Sequence, residues 1–191
     1  MPQSNVNFPF GLKPLKSPSG IQRVNEYASY TIANAYNTAI AYGQVVSRSG
    51  SGSDIIAGAN DTVAKVGVFQ GCRYQDTLGN FVYSKNWIAS TATLNSVGAK
   101  AIVADDPKQV FLARMSLALV AANIGQFAGL VVGTPDGNGV STSAVDSADI
   151  TGTADVFKIL ELYEDGLNAF GNYSLVKVML GIHEYNAPAA S

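Results

Sequence analysis

The sequence predicts an all-β protein: a β-sandwich or barrel-like body with an extended proline-rich N-terminal arm and little helix. Three observations predict it. Beyond Gly20, apolar and polar residues alternate with period two, and turn signals separate the runs. Four of the seven prolines (Pro2, Pro9, Pro14, Pro18) fall in the first eighteen residues. Each removes a backbone donor, fixes φ and pushes the preceding residue toward extended geometry. Finally, only 14% of residues are charged, against about 25% in an average soluble protein, and Gly, Ser, Thr, Ala and Asn fill the difference.

The 191 residues suit one domain, with two small ones possible, and are enough to bury roughly 70% of the surface that the unfolded chain exposes. The expected division is an arm over residues 1–20, a single β-rich domain over 21–186 and a short tail over 187–191. In the body, "TVAKVGVFQGCRY" alternates strictly. Val63, Lys65, Gly67, Phe69, Gly71 and Arg73 share one face, and Ala64, Val66, Val68, Gln70, Cys72 and Tyr74 the other. "DTLGN" (76–80) then turns the chain into "FVYSKNWIA", with Gly79 and Asn80 as the positive-φ residues of a hairpin. "AKAIVAD" and "QVFLARM" flank Asp105-Asp106-Pro107-Lys108, a type I turn with proline at a permitted position.

"DVFKILELYED" and "SLVKVMLGIHEY" are the clearest late strands, joined by the Gly- and Asn-rich "GLNAFGN". "ALVAANIGQFAG" is the one stretch that admits a short helix. The polar region 133–155 reads either as a long surface loop or as weak edge strands, and a similar tract spans 47–61.

The inventory for chemistry is thin. A formal net charge of -2 gives no reason to expect nucleic acid or an anionic membrane as partner. The start "MPQSNVNFPFGL" has neither a basic n-region nor an apolar h-region, so no secretory signal is expected. Residues 112–133 are apolar but interrupted by Arg114, Ser116, Asn123 and Gln126, short of a membrane span, and a soluble protein is expected.

Cys72 and His183 are the only cysteine and histidine, which excludes a disulfide framework and the usual zinc sets. A triad needs a nucleophile, base and orienting acid to converge, and no Gly-x-Ser-x-Gly elbow is present. A histidine in the sheet is the favoured reading of His183 over a catalytic base. No catalytic residue, cofactor or metal is therefore assigned, and the protein is expected not to be an enzyme. Sparse charge fits either a β protein with polar turns or a surface covered by partner chains.

Several stretches in a fixed order carry a resemblance: "FGLKP", "GVFQGCRYQDTLGN", "SKNWIAST", "AIVADDPKQVF" and "YSLVKVMLGIHEYN". Together they resemble the cement or decoration proteins that coat the capsids of tailed bacteriophages. That family has a Gly-(Val/Ile)-Phe-x-Gly-Cys-x-Tyr strand, a Val-x-Asp-Asp-Pro turn and a closing strand close to Val-x-Ile-x-x-His. The likeness runs from Phe10 to Tyr185, and the stretch from Met115 to Asp155 has no firm counterpart.

The resemblance implies a non-enzymatic virion protein, made in the host cytoplasm and placed on the outer surface of the capsid. There it stabilises the shell by bridging neighbouring major capsid proteins. It also implies a homo-oligomer, with a trimer at local three-fold positions favoured over a dimer at two-folds. On this reading the arm docks on the partner through Phe8, Phe10, Leu12 and Leu15, while Lys13 and Lys16 pair with acidic groups. The competing arrangement is an arm folded back on its own body. A different function, carbohydrate or receptor binding by a spike or fibre module, would use the loops 47–61 and 133–155.

Overall fold

The structure, a computed structural model, describes residues 5–15, 28–33, 36–50, 52–60, 62–89 and 99–186. Its strands are β1 (Lys13–Pro14), β2 (Ala28–Ile32), β3 (Val45–Arg48), β4 (Ile55–Ala57), β5 (Lys65–Gln75), β6 (Phe81–Ser84) and β7 (Ala99–Ala104). There follow β8 (Phe111–Arg114), β9 (Ala118–Leu119), β10 (Phe127–Val131), β11 (Ala144–Thr151), β12 (Phe157–Leu162), β13 (Gly171–Asn172) and β14 (Leu175–Leu180). Two 3-10 turns, Ala121–Asn123 and Glu184–Asn186, are the helical elements among the described residues. The chain is all-β, as its period-two pattern predicts.

The strands form two six-stranded antiparallel sheets, each of which curls back on itself, and a two-stranded one of β9 with β13. In the first, the order is β1-β8-β14-β12-β10-β11. Met115, just past β8, bridges Val145 of β11, and the Ser116 N–H donates to the Val145 carbonyl at 2.8 Å. That contact brings the last strand back to β8 and closes a small barrel. In the second sheet the order is β2-β7-β5-β3-β4, with β6 pairing the far end of β5. Thr31 of β2 bridges Asp54 beside β4, and its N–H donates to the Ser53 carbonyl at 3.0 Å, which closes a second barrel. Closure removes the exposed edges that an open sheet would leave for aggregation.

Each barrel has its own core. Phe111, Phe157, Ile159, Val145, Val176 and Val178 fill the first. Tyr30, Ile32, Val46, Phe69, Cys72 and Trp87 fill the second. Val45, Val68 and Ala104, on the second barrel's strands, belong to the first barrel's cluster and join the two. Within the second barrel, Gly67 lets β5 lie close against β7. A Cβ there would lie 2.3 Å from the Ala104 carbonyl oxygen.

Several expectations are met in detail. β5 and β6 form the hairpin, and Pro107 sits in a turn closed by the Gln109 N–H donating to the Asp106 carbonyl at 2.9 Å. That turn carries the chain from the second barrel to the first. The polar 133–155 region supplies β11, an end strand in the pairing order.

Other expectations need correction. Only Gly79 (φ 88°) takes positive φ in the hairpin turn; Asn80 does not, and its N–H instead donates to Asp76 Oδ1 at 2.8 Å. A bulge between Phe69 and Gly71 breaks the strict alternation of β5, so Phe69 and Cys72 both point into the second core. The short helix expected over 118–129 shrinks to the 3-10 turn Ala121–Asn123. Ile124 is extended and Gly125 has φ 84°, and β10 finds partners in β11 and β12 that override local propensity.

Of the arm, residues 5–15 are described, and they lie against the body. Lys13 and Pro14 form β1, an edge strand on β8 where proline's missing N–H does no harm. The rest of the arm, over 1–4 and 16–20, lies outside the described residues, as does the 187–191 tail.

Candidate functional site

The arm begins with a fixed point. Asn5 Nδ2 donates to the carbonyls of Ala169 (2.8 Å) and Asn172 (3.0 Å), and Asn5 Oδ1 accepts from the Ala169 N–H at 3.3 Å. At its other end the arm passes between the barrels at Gly11, where φ is 68° and a Cβ would come within 2.7 Å of the Gly43 carbonyl oxygen. Only glycine fits that conformation and that gap. The Leu12 N–H then donates to the Gly43 carbonyl at 2.8 Å.

These two anchors divide the six arm residues singled out by sequence. Leu12 is 0% exposed and sits in the first barrel's core, so its side chain is not available to a partner. This corrects its assignment as a docking residue: a leucine entering between two barrels is buried by its own chain. Phe10 is buried as well, with the Lys13 ammonium 4.7 Å from its ring centroid. Leu15 is half-buried, and its N–H donates to the Val110 carbonyl at 2.8 Å. Phe8 remains 71% exposed and Lys13 is exposed; Lys16 lies outside the described residues. Val6, which sequence reasoning passed over, is 76% exposed.

Between the arm and the β12–β14 connection lies a groove of about 290 Å³. Val6, Phe8 and Phe10 form one wall, and Leu167, Tyr173 and Leu175 the other. Among the described residues Asp165 is the one charged group in its lining. Asn168 fixes the far wall, its Nδ2 donating to the carbonyls of Tyr163 (2.7 Å) and Leu175 (2.8 Å). Tyr173 has φ 59°, a strained conformation for a tyrosine. It is held by its N–H donating to Leu117 and by the buried Arg114 guanidinium, 5.3 Å from its ring centroid. Leu167 and Phe170 are both exposed. They were legible as two large apolar residues in "GLNAFGN", a connection otherwise built for solvent.

The residues with chemical potential lie elsewhere, and His183 and Cys72 are enclosed. His183 is 1% exposed in the second barrel, bridged to Lys65, with Nδ1 accepting from the Tyr185 N–H at 3.2 Å. Burial pushes its pKa below the usual histidine value, against the opposing charge of Asp105. Cys72 is buried and its thiol is pushed up to about 12. Asp136 turns its carboxylate on its own loop, accepting from the Val140 and Asn138 N–H groups at 2.7 and 2.9 Å. Among the described residues no three His, Cys, Asp or Glu side chains gather as a metal site would require. What the groove and arm offer is apolar contact area. Comparisons with family models, with curated proteins and with solved structures found no match to this chain.

Proposed function

We propose that this chain is a structural virion protein that coats a tailed-phage capsid and stabilises it by bridging neighbouring major capsid proteins. It acts without a cofactor and without catalysis, on the outer surface of the virion, as a homo-oligomer whose favoured form is a trimer. Two lines support the reading. One is the resemblance carried by the ordered motifs from Phe10 to Tyr185.

The other is the observation that carries the proposal: Val6 and Phe8 stand in the open on an arm anchored at both ends, by Asn5 and by Leu12. Large apolar side chains held rigidly in water mark an interaction site. Burying each contributes about 1.5–3 kcal/mol, and part of the ordering cost of binding is already met by the anchors. Repetition around an oligomer on a lattice turns such contacts into tight attachment through effective concentration.

The test is co-sedimentation of the purified chain with undecorated shells of the virus that encodes it, counting bound copies per major capsid subunit. Saturation at a fixed lattice ratio is expected, with Val6→Asp and Phe8→Asp weakening it. Point variants are preferable to removal of residues 1–19, which would take Leu12 out of the core. Shells that bind no protein across a range of salt would end the proposal.

A further inference from the structure

The second barrel carries an exposed surface of complementary character. Cross-strand partners in an antiparallel pair share a face. Arg73 of β5 pairs with Tyr83 of β6 on one side and with Lys100 of β7 on the other, so all three stand in one row. Phe81 lies one step along, paired with Gln75 and 5.4 Å from the Arg73 guanidinium, ring centroid to carbon. Leu78 at the hairpin tip, Phe81 and Tyr83 are all exposed. Asp76 is the only carboxylate in the hairpin, and it already accepts from the Leu78 and Asn80 N–H groups at 2.9 and 2.8 Å. Asp76 stays ionised on those donors, so it is the row of Arg73 and Lys100 beside Phe81 and Tyr83 that is apolar and cationic.

The groove beside the arm is apolar, with carboxylates on one side. Asp165 lines it and Glu164 is exposed next to it; Lys13 and Arg114 lie over the rings of Phe10 and Tyr173, and among the described residues no lysine or arginine is in the lining itself. Lys177 nearby is committed to Glu161 at 2.5 Å.

We propose that the β5–β6 hairpin of one copy docks in the arm groove of a second copy. Phe81 and Tyr83 pack against Leu167, Tyr173 and the groove side of Phe8, while Arg73 and Lys100 face Asp165 and Glu164. Charge selects this pairing. Hairpin against hairpin sets cations together, and groove against groove sets carboxylates together, whereas hairpin against groove matches both charge and apolar surface. Because the two surfaces differ and lie on different barrels, the contact is head-to-tail, and copies joined this way make a ring where the rotation closes, as a discrete oligomer requires. The inference deepens the self-association in the proposed function and rests on that part of it. It does not depend on capsid binding, since Val6 takes no part in the docked contact.

The experiment is mass determination by sedimentation velocity on the full chain alone, without shells, over a range of concentrations and salt. The wild-type chain is expected to form a discrete oligomer that weakens with salt. Arg73→Glu and Asp165→Arg are each expected to weaken assembly more than about tenfold, as loss of an interface hot spot does, and the double variant to recover it.

Mixing gives the decisive result. Phe81→Asp keeps its groove and Leu167→Asp keeps its hairpin, so each alone is monomeric and the two together form a one-to-one pair. All four sites are solvent-facing, and an unchanged thermal midpoint confirms that the variants fold. A monomeric wild-type chain, assembly indifferent to Arg73→Glu and Asp165→Arg, or an oligomer that survives Leu167→Asp but not Phe81→Asp would each overturn the proposal. Loss of shell binding in an intact oligomer would instead count against the capsid reading alone.

Discussion

The Arg48 guanidinium and the Glu184 carboxylate meet in a two-pronged ion pair, Nε to Oε1 at 2.6 Å and the terminal nitrogen to Oε2 at 2.9 Å. The pair fastens the C-terminal turn to β3, and the same turn is fixed by the Tyr30 hydroxyl. That hydroxyl lies 3.0 Å from the Tyr185 hydroxyl and donates to Asp105 at 2.9 Å. The first and last described elements thus lie in different barrels. β1 lies in the first, while the turn after β14 returns to the second. Both side chains are roughly a quarter to a third exposed, so the pair is a modest clasp and not a buried one.

A double-mutant cycle of Arg48→Ala and Glu184→Ala should give a coupling of about 0.5–1 kcal/mol in urea unfolding. It should shrink as salt rises, because both groups are partly solvated. Strict additivity of the two substitutions would show that the clasp contributes nothing.

Leu12 and Phe8 should behave as opposites. Leu12→Ala leaves a cavity in a well-packed core and should lower stability by about 2–5 kcal/mol, with the oligomer and the shell contact changed only as far as folding is. Phe8→Ala should stay within about 0.5 kcal/mol of the wild type in stability yet weaken shell binding. Urea midpoints and co-sedimentation on the same two variants settle the matter. Equal stability losses would mean that the arm packs as one unit.

The pH dependence should centre on His183. Its folded pKa is depressed by burial, so the folded state resists the proton that the unfolded chain accepts. The histidine's contribution is therefore complete above about pH 6.5, the unfolded value. It is lost progressively as pH falls from there toward the depressed folded pKa. Asp76 and Asp136, held below the usual range by backbone N–H donors from Asn80 and Val140 respectively, add their loss only below about pH 4. Urea midpoints from pH 7.5 to 5 should fall for the wild type and flatten for His183→Gln. A parallel fall in both proteins would assign the slope to other groups.

Local chemistry was legible where a single residue dictates geometry. Pro107 after two aspartates and Gly79 in "DTLGN" mark turns that any reading of the chain would place. The two barrels were not legible. β5 and β7 bury residues on both faces, so no alternation says which side meets which core, and the bulge after Phe69 reverses the faces midway. The same limit applies to the candidate site. Phe8 and Leu12 are both large apolar residues in a proline-rich stretch, and only Gly11 and its neighbour Gly43 decide that one enters a core while the other stays in water. Val6 and Leu167 gain meaning only once Asn5 brings the arm against the β12–β14 connection.

Cys72 reports whether the two barrels unfold together. Its thiol is buried in the second core and its pKa is pushed up to about 12. At pH 8 a thiol reagent should therefore label it only through opening of that barrel, at a rate that tracks stability. Leu12 lies in the first core, in one cluster with Val45, Val68 and Ala104 from the second barrel's strands. If those contacts make the barrels one cooperative unit, Leu12→Ala should accelerate Cys72 labelling by the same factor by which it lowers the global folding constant. Labelling of Cys72 at the wild-type rate in Leu12→Ala, despite a lowered urea midpoint, would show that the second barrel opens on its own and that the shared cluster does not couple them.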